Sequence, residues 1–89
     1  MNVKRWMGEV AQLPCVVCQR IGLGETPAHV HHLFPPHRRN DWLVAPVCPE
    51  HHTGKDGIHG AHRVPFQERF KIYDEDMMAD TIKRVVARI

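Results

Sequence analysis

The chain has 89 residues and a formal net charge of +2 with its histidines neutral. A chain this short buries a modest core and often needs a metal or disulfide staple, and so small a charge only weakly favours an anionic partner. Three cysteines cannot all pair within one chain, and no segment approaches the roughly 20 apolar residues of a membrane span, so neither a disulfide framework nor a membrane protein is expected.

Met1 to Leu13 carries Lys4, Arg5 and Glu9 and has no long apolar run, so no secretory leader is expected. In a reducing cytoplasm, C-x2-C reads as metal-binding or redox. Val3, Trp6, Met7 and Val10 recur at the spacing of one helix face, and Pro14 stops that helix. Lys4 and Arg5 lie off the stripe, as a solvated face or a phosphate contact. Cys15-Val16-Val17-Cys18 then reads as a tight turn, half of a zinc knuckle, followed by a loop with Gly22, Gly24 and Pro27. A thioredoxin-type motif should open a helix instead.

Ala28 to Phe34 reads as a strand ended by Pro35-Pro36, and Trp42 to Val47 as a second, with Pro46 at an edge or strand end. Cys48-Pro49 opens a short helix, since proline suits the first helical position. Two strands and a helix carrying metal ligands give a ββα-metal arrangement. Gly54 and Gly57 turn Thr53 to Ile58 into a loop that returns His59. Phe66, Phe70 and Tyr73 are spaced for a helix with Pro65 near its start. Asp74 caps a last helix whose apolar stripe is Met78, Ile82, Val85, Val86 and Ile89. The chain is thus expected to be one α+β domain over 1–89, with a zinc-stapled motif core at about 15–60 and flanking C-terminal helices at about 64–89. Trp42 is assigned to the core in preference to a base-stacking platform, and His29 and His37 to the surface.

All eight histidines lie between His29 and His62. Thiolate and imidazole together are the ligand set of zinc and related metals. Cys15, Cys18, Cys48 and His51 form two x2 pairs and would make a structural zinc site, with His52 the alternative to His51. His31, His32, His52 and His59 surround a second ion. A nuclease needs a base to activate water, a cation to stabilise charge on the phosphate and leaving oxygen, and donors to hold the backbone. Adjacent strand residues face opposite ways, so His31 and His32 divide these tasks unless the strand bends or ends there. Arg38, Arg39, Lys55 and Arg63 flank the site as candidate phosphate contacts.

H31-H32-L33, a basic loop, L-V-A-P-V-C-P-E-H-H and a later G-I-H-G resemble the HNH endonucleases of the His-Me finger superfamily. The likeness covers about Cys15 to Gly60 and is greatest to small phage-type members, including the recombination-enhancement nucleases. The resemblance implies that His32 is the general base, and that His31, His52 and His59 hold one catalytic ion, with His62 the fallback for His59. That ion would be Mg2+, Mn2+, Ni2+, Co2+ or Zn2+, and imidazoles tilt the choice toward the transition metals. Asn40 or Asp41 would fill the role of the family's central asparagine, although both lie further from the second knuckle than that residue usually does. His59 also follows His52 at a longer spacing than many members use. The implied function is hydrolysis of DNA phosphodiester bonds in the cytoplasm of a bacterium or phage-infected cell, in phage or mobile-element DNA processing, with room for a protein partner in targeting.

Two rival readings use fewer of these residues. A non-catalytic zinc-binding module for nucleic acid or protein explains Cys15, Cys18, Cys48 and His51 but leaves His31, His32 and His59 idle. A metal-storing or structural subunit would bind more than two metals per chain.

Overall fold

The computed structural model describes residues 1–35 and 39–89; His37 and the expected phosphate contact Arg38 lie outside the described residues. Asn2 opens the first helix, α1 (Val3–Ala11), its side-chain oxygen accepting from the Arg5 N–H at 2.8 Å. Such a cap satisfies a donor that has no partner inside the helix. Trp6 and Val10 form its buried face. Pro14 follows, and then α2 (Val16–Arg20) begins with Cys15 at its N-cap. The C-x2-C segment therefore opens a short helix, not the expected turn. That removes the argument against redox chemistry drawn from chain shape; the neighbours of the thiols have to decide the matter.

Two strands, β1 (His29–His32) and β2 (Val44–Val47), pair antiparallel, with His31 opposite Ala45 and His32 opposite Val44. Both are shorter than the sequence suggests. Trp42 lies outside β2 and is 44% exposed, not in the core. Every residue of β2 is buried, because α1 and α5 both pack on it. Cys48 ends β2 and Pro49 starts the four-residue α3 (Pro49–His52), which packs against β1.

The segment after α3 is shaped by glycine. A Cβ on Gly54 would strike the Glu50 carbonyl, and one on Gly57 would lie 2.7–2.8 Å from the His51 backbone. Without those atoms the loop folds back onto α3. The Ile58 and His59 N–H groups then donate to the His51 and His52 carbonyls at 2.8 and 2.9 Å.

Next comes α4 (Arg63–Phe70), ended by Lys71 in the left-handed region at φ 56°. Tyr73 lies beyond it, contrary to its expected place in this helix. The final helix, α5 (Asp74–Arg88), has Tyr73 as N-cap, and Asp74 is its first residue. The Asp76 carboxylate accepts from the Tyr73 N–H at 2.9 Å. The expected apolar stripe is displaced: Met77, Thr81 and Val85 are buried, whereas Ile82, Val86 and Ile89 are exposed. Thr81 is accommodated by donating its hydroxyl to the Met77 carbonyl at 2.7 Å. Asp74 is also buried, its carboxylate accepting from the Phe34 N–H at 2.7 Å with Arg63 Nη2 at 3.6 Å. This contact pins the end of β1 to α5 and holds Phe34 at φ 63°.

The core has two parts. The cysteines, Leu33, Ala45, Val47, Phe66, Ile72 and Met77 make one, and Trp6, Val10, Leu13, Val44 and Val85 the other. No helix among the described residues is long and apolar enough to cross a membrane. Phe66→Ala should cost about 3–5 kcal/mol of stability through lost burial and the cavity left behind. Val86→Ala, on the exposed side of α5, should change it by less than about 0.5 kcal/mol. Chemical denaturation of the two variants beside the parent checks both values.

Candidate functional site

Helix α3 places two histidines on different sides. Successive helical residues are rotated by about 100°, so consecutive side chains leave the axis in different directions. His51 is buried and turns to the cysteines. Its Nδ1 lies 3.5 Å from Cys18 Sγ and 3.3 Å from Cys48 Sγ, and those two sulfurs are 3.7 Å apart. Zinc bonds of about 2.3 Å to sulfur and 2.0–2.1 Å to nitrogen require tetrahedral edges of about 3.5–3.8 Å. The side chains are already spaced as such a polyhedron. The ligand atoms of Cys15, Cys18, Cys48 and His51 all lie within 4.8 Å of one another. His51, and not its alternative His52, completes this group.

The surroundings suit a cation. Burial pushes the Cys15 thiol up to about 12, against favourable hydrogen bonds from the Cys18 and Cys48 backbone. A bound metal ion reverses this preference and deprotonates a coordinating thiol. Burial likewise lowers His51, leaving a neutral imidazole able to ligate. The His51 ring meets Phe70 edge-on at 5.2 Å between centroids, which fixes its orientation. A buried Cys/His cluster of this geometry could bind a metal such as zinc.

His52 faces the other way. Its ring centroid is 5.0 Å from His31 and 4.8 Å from His59, and His31 and His59 are 5.4 Å apart. The ligand nitrogens of the three are also within 4.8 Å of one another. His62, the fallback, is not in that group; it is the N-cap of α4 at φ 73°. His52 Nδ1 is buried with no hydrogen-bond partner among the described residues. An orphaned buried nitrogen is costly, and a metal ion is one partner that would satisfy it. Burial first, and then the neighbouring His52 and His59, lower His31 to about 3. Burial also lowers His52. His31 and His52 therefore stay uncharged at neutral pH and retain their lone pairs.

His32, the last residue of β1, is partly buried. It lines the same cleft of about 390 Å³ as His31, His52 and His59. The strand ends here, so both histidines of the pair reach one cleft. His32 Nε2 lies 2.8 Å from Asp41 Oδ1, and Arg39 Nε approaches the same nitrogen at 3.1 Å. That nitrogen can donate to Asp41 only when it carries hydrogen and accept from Arg39 only when it does not. Asn40 is engaged elsewhere, its side-chain oxygen accepting from the Trp42 N–H at 2.9 Å.

Among the expected phosphate contacts, Arg39 is at the cleft, Lys55 is exposed on the glycine loop, and Arg63 is held at Asp74. His29, expected at the surface, is exposed there, its ring 5.8 Å from that of His52.

Two outcomes follow. Cys48→Ala should lose one equivalent of zinc, read by elemental analysis, and several kcal/mol of stability, out of the about 5–15 a domain has. Lowering the pH should weaken the fold between about 6.5 and about 3. In that window an unfolded His31 takes up a proton and the folded one does not. Stability is therefore complete above the unfolded value and is lost as pH falls. His51 and His52, also lowered by burial, act in the same direction, and the His31→Asn variant, which removes the His31 titration, should show a flatter decline in Tm with falling pH.

The family model for recombination enhancement, RecA-dependent nuclease, matches residues 2–85. No curated protein and no solved structure matches the chain. The match spans nearly the whole chain, both Cys/His clusters and the cleft between β1 and α3, so this chain belongs to the RecA-dependent, recombination-enhancement nuclease family.

Proposed function

We propose that the chain is an HNH endonuclease of ββα-metal architecture, forming a single domain over 1–89, that hydrolyses DNA phosphodiester bonds. The observation that carries this reading is the meeting of His32 with the His31, His52 and His59 cluster in one cleft. In this reading Cys15, Cys18, Cys48 and His51 hold a structural zinc that fixes α3, and His31, His52 and His59 hold one divalent ion. That ion would stabilise charge on the phosphate and on the leaving oxygen.

His32 is the general base. Asp41 accepts from Nε2–H and so selects the tautomer whose Nδ1 has a free lone pair. Nδ1 then takes the proton from water as the oxygen attacks phosphorus. Asp41 thereby fills the orienting role, and Asn40 instead braces the turn at Trp42. With Nε2 protonated, Arg39 has no acceptor on the ring, and its guanidinium is released to hold a phosphate oxygen. Arg38, Lys55 and Arg63 are assigned to backbone contacts in the same reading. The products would carry a 5′-phosphate and a 3′-hydroxyl.

A domain this small has little surface for base readout, so a protein partner directing it to its DNA is part of the proposal. The family's RecA-dependent description makes a recombinase the first to try. The setting would be the cytoplasm of a bacterium or phage-infected cell, in phage or mobile-element DNA processing.

Nicking of supercoiled plasmid under Mg2+, Mn2+, Co2+ or Ni2+ tests this. His32→Ala should lower the rate by about 10²–10⁴-fold, the usual contribution of a general base, with metal content unchanged. Asp41→Asn should lower it less. Metal-dependent nicking that His32→Ala retains would refute the assignment of the base.

A further inference from the structure

The cleft does not account for Trp42. Its side chain follows Asp41 directly, yet it is 44% exposed and lines none of the space around the histidines. An exposed tryptophan is ordinarily a mobile surface residue, but this one is braced at three points. Its backbone N–H donates to Asn40 Oδ1 at 2.9 Å, and its backbone carbonyl accepts from Trp6 Nε1 at 3.0 Å. Its ring lies against Trp6 at 6.1 Å between centroids, tilted by 33°. Trp6 itself is only 8% exposed. Asn40 and Trp6 thus fix the Trp42 backbone on both sides, and the Trp6 ring packs against its side chain, while the residue keeps a large aromatic surface exposed.

The charges around it are informative. Arg39 stands three residues before Trp42 and reaches His32, and the exposed Arg5 precedes Trp6. Asp41, the residue before Trp42, is engaged by His32, and Glu9, three residues after Trp6, lies 3.6 Å from Arg88. A rigid aromatic face flanked by cations is the combination that binds single-stranded nucleic acid, with bases stacked on the ring and phosphates on the cations.

We propose that Trp42 is a stacking platform for an unpaired nucleobase of the DNA substrate, next to the strand segment that enters the His32 cleft. An inner base of a duplex already has neighbours on both faces, so the platform suits a single strand, a frayed end or a junction. This rests on the nuclease reading above and deepens it by naming the substrate feature recognised. Trp42 is a binding residue here and takes no part in the proton transfer at His32.

The two tryptophans make the test direct. A short oligothymidylate, labelled at one end for anisotropy, is titrated into protein loaded with a single equivalent of zinc, further divalent ion being withheld so that it is not cut. Binding should quench tryptophan fluorescence, and the quench should persist in Trp6→Phe, whose only tryptophan is Trp42. Trp42→Ala should weaken binding by roughly 5- to 150-fold, the range a base–aromatic stack spans, and Trp42→Phe should restore part of it. Anisotropy showing binding without any quench, or equal affinity in Trp42→Ala, would overturn the platform and leave the nuclease standing. No anisotropy change and no plasmid nicking in the parent protein would remove both. If Trp42→Ala does not fold, the quench in Trp6→Phe decides.

Discussion

The structure turns on a division between two neighbouring residues. His51 and His52 are consecutive in a helix of one turn, and the helix sends the first to three thiols and the second to two imidazoles. Neither destination is negotiable. The thiol side anchors α2 and the end of β2, and the imidazole side reaches β1 and the glycine loop. Fixing α3 therefore fixes the relation between β1, β2 and the segment that brings His59 back. In so small a chain, such an anchor does work that a larger apolar core would otherwise have to do.

The glycine loop is the second half of this constraint. His59 is brought to His52 by backbone hydrogen bonds from Ile58 and His59 to the carbonyls of His51 and His52. Those bonds need the loop to lie flat on α3, at a distance no Cβ permits at Gly54 or Gly57. A longer spacing between two histidines is thus absorbed by close backbone packing. On the opposite wall, the Asp74 carboxylate holds the Phe34 N–H and fixes where β1 ends, which is what lets His31 and His32 share one cleft.

Much of this was legible in the sequence, and the reasons differ by element. Paired ligands at x2 spacing identify both halves of the Cys/His cluster, because few other needs place those side chains together. The strands could be read from their β-branched and histidine-rich runs, and α3 from Cys48-Pro49. The x2 spacing favours His51 over His52 as the ligand beside the thiols, as found, but sequence leaves the alternative open because the choice depends on the rotation of α3 relative to β2. The stripe on α5 was misjudged because apolar periodicity ignores Thr81 and Asp74, two polar residues buried through hydrogen bonds. Trp42 was misplaced for the converse reason: large aromatics are usually buried, and only tertiary structure shows this one held outward. The hydrogen bonds of Asn40 and Asp41 likewise depend on where the chain between the strands returns.

The central claim is that two metal sites of different donor chemistry meet back to back at His51 and His52. Cobalt(II) titration of the metal-stripped, refolded protein tests it most directly, because thiolate ligation gives strong sulfur-to-metal absorption and imidazole ligation does not. The account predicts two bound equivalents, only one carrying the thiolate absorption. His52→Ala should abolish the thiolate-free equivalent alone, and His51→Ala should disturb the thiolate bands. A single equivalent, or thiolate bands that respond to His52→Ala and not to His51→Ala, would contradict it.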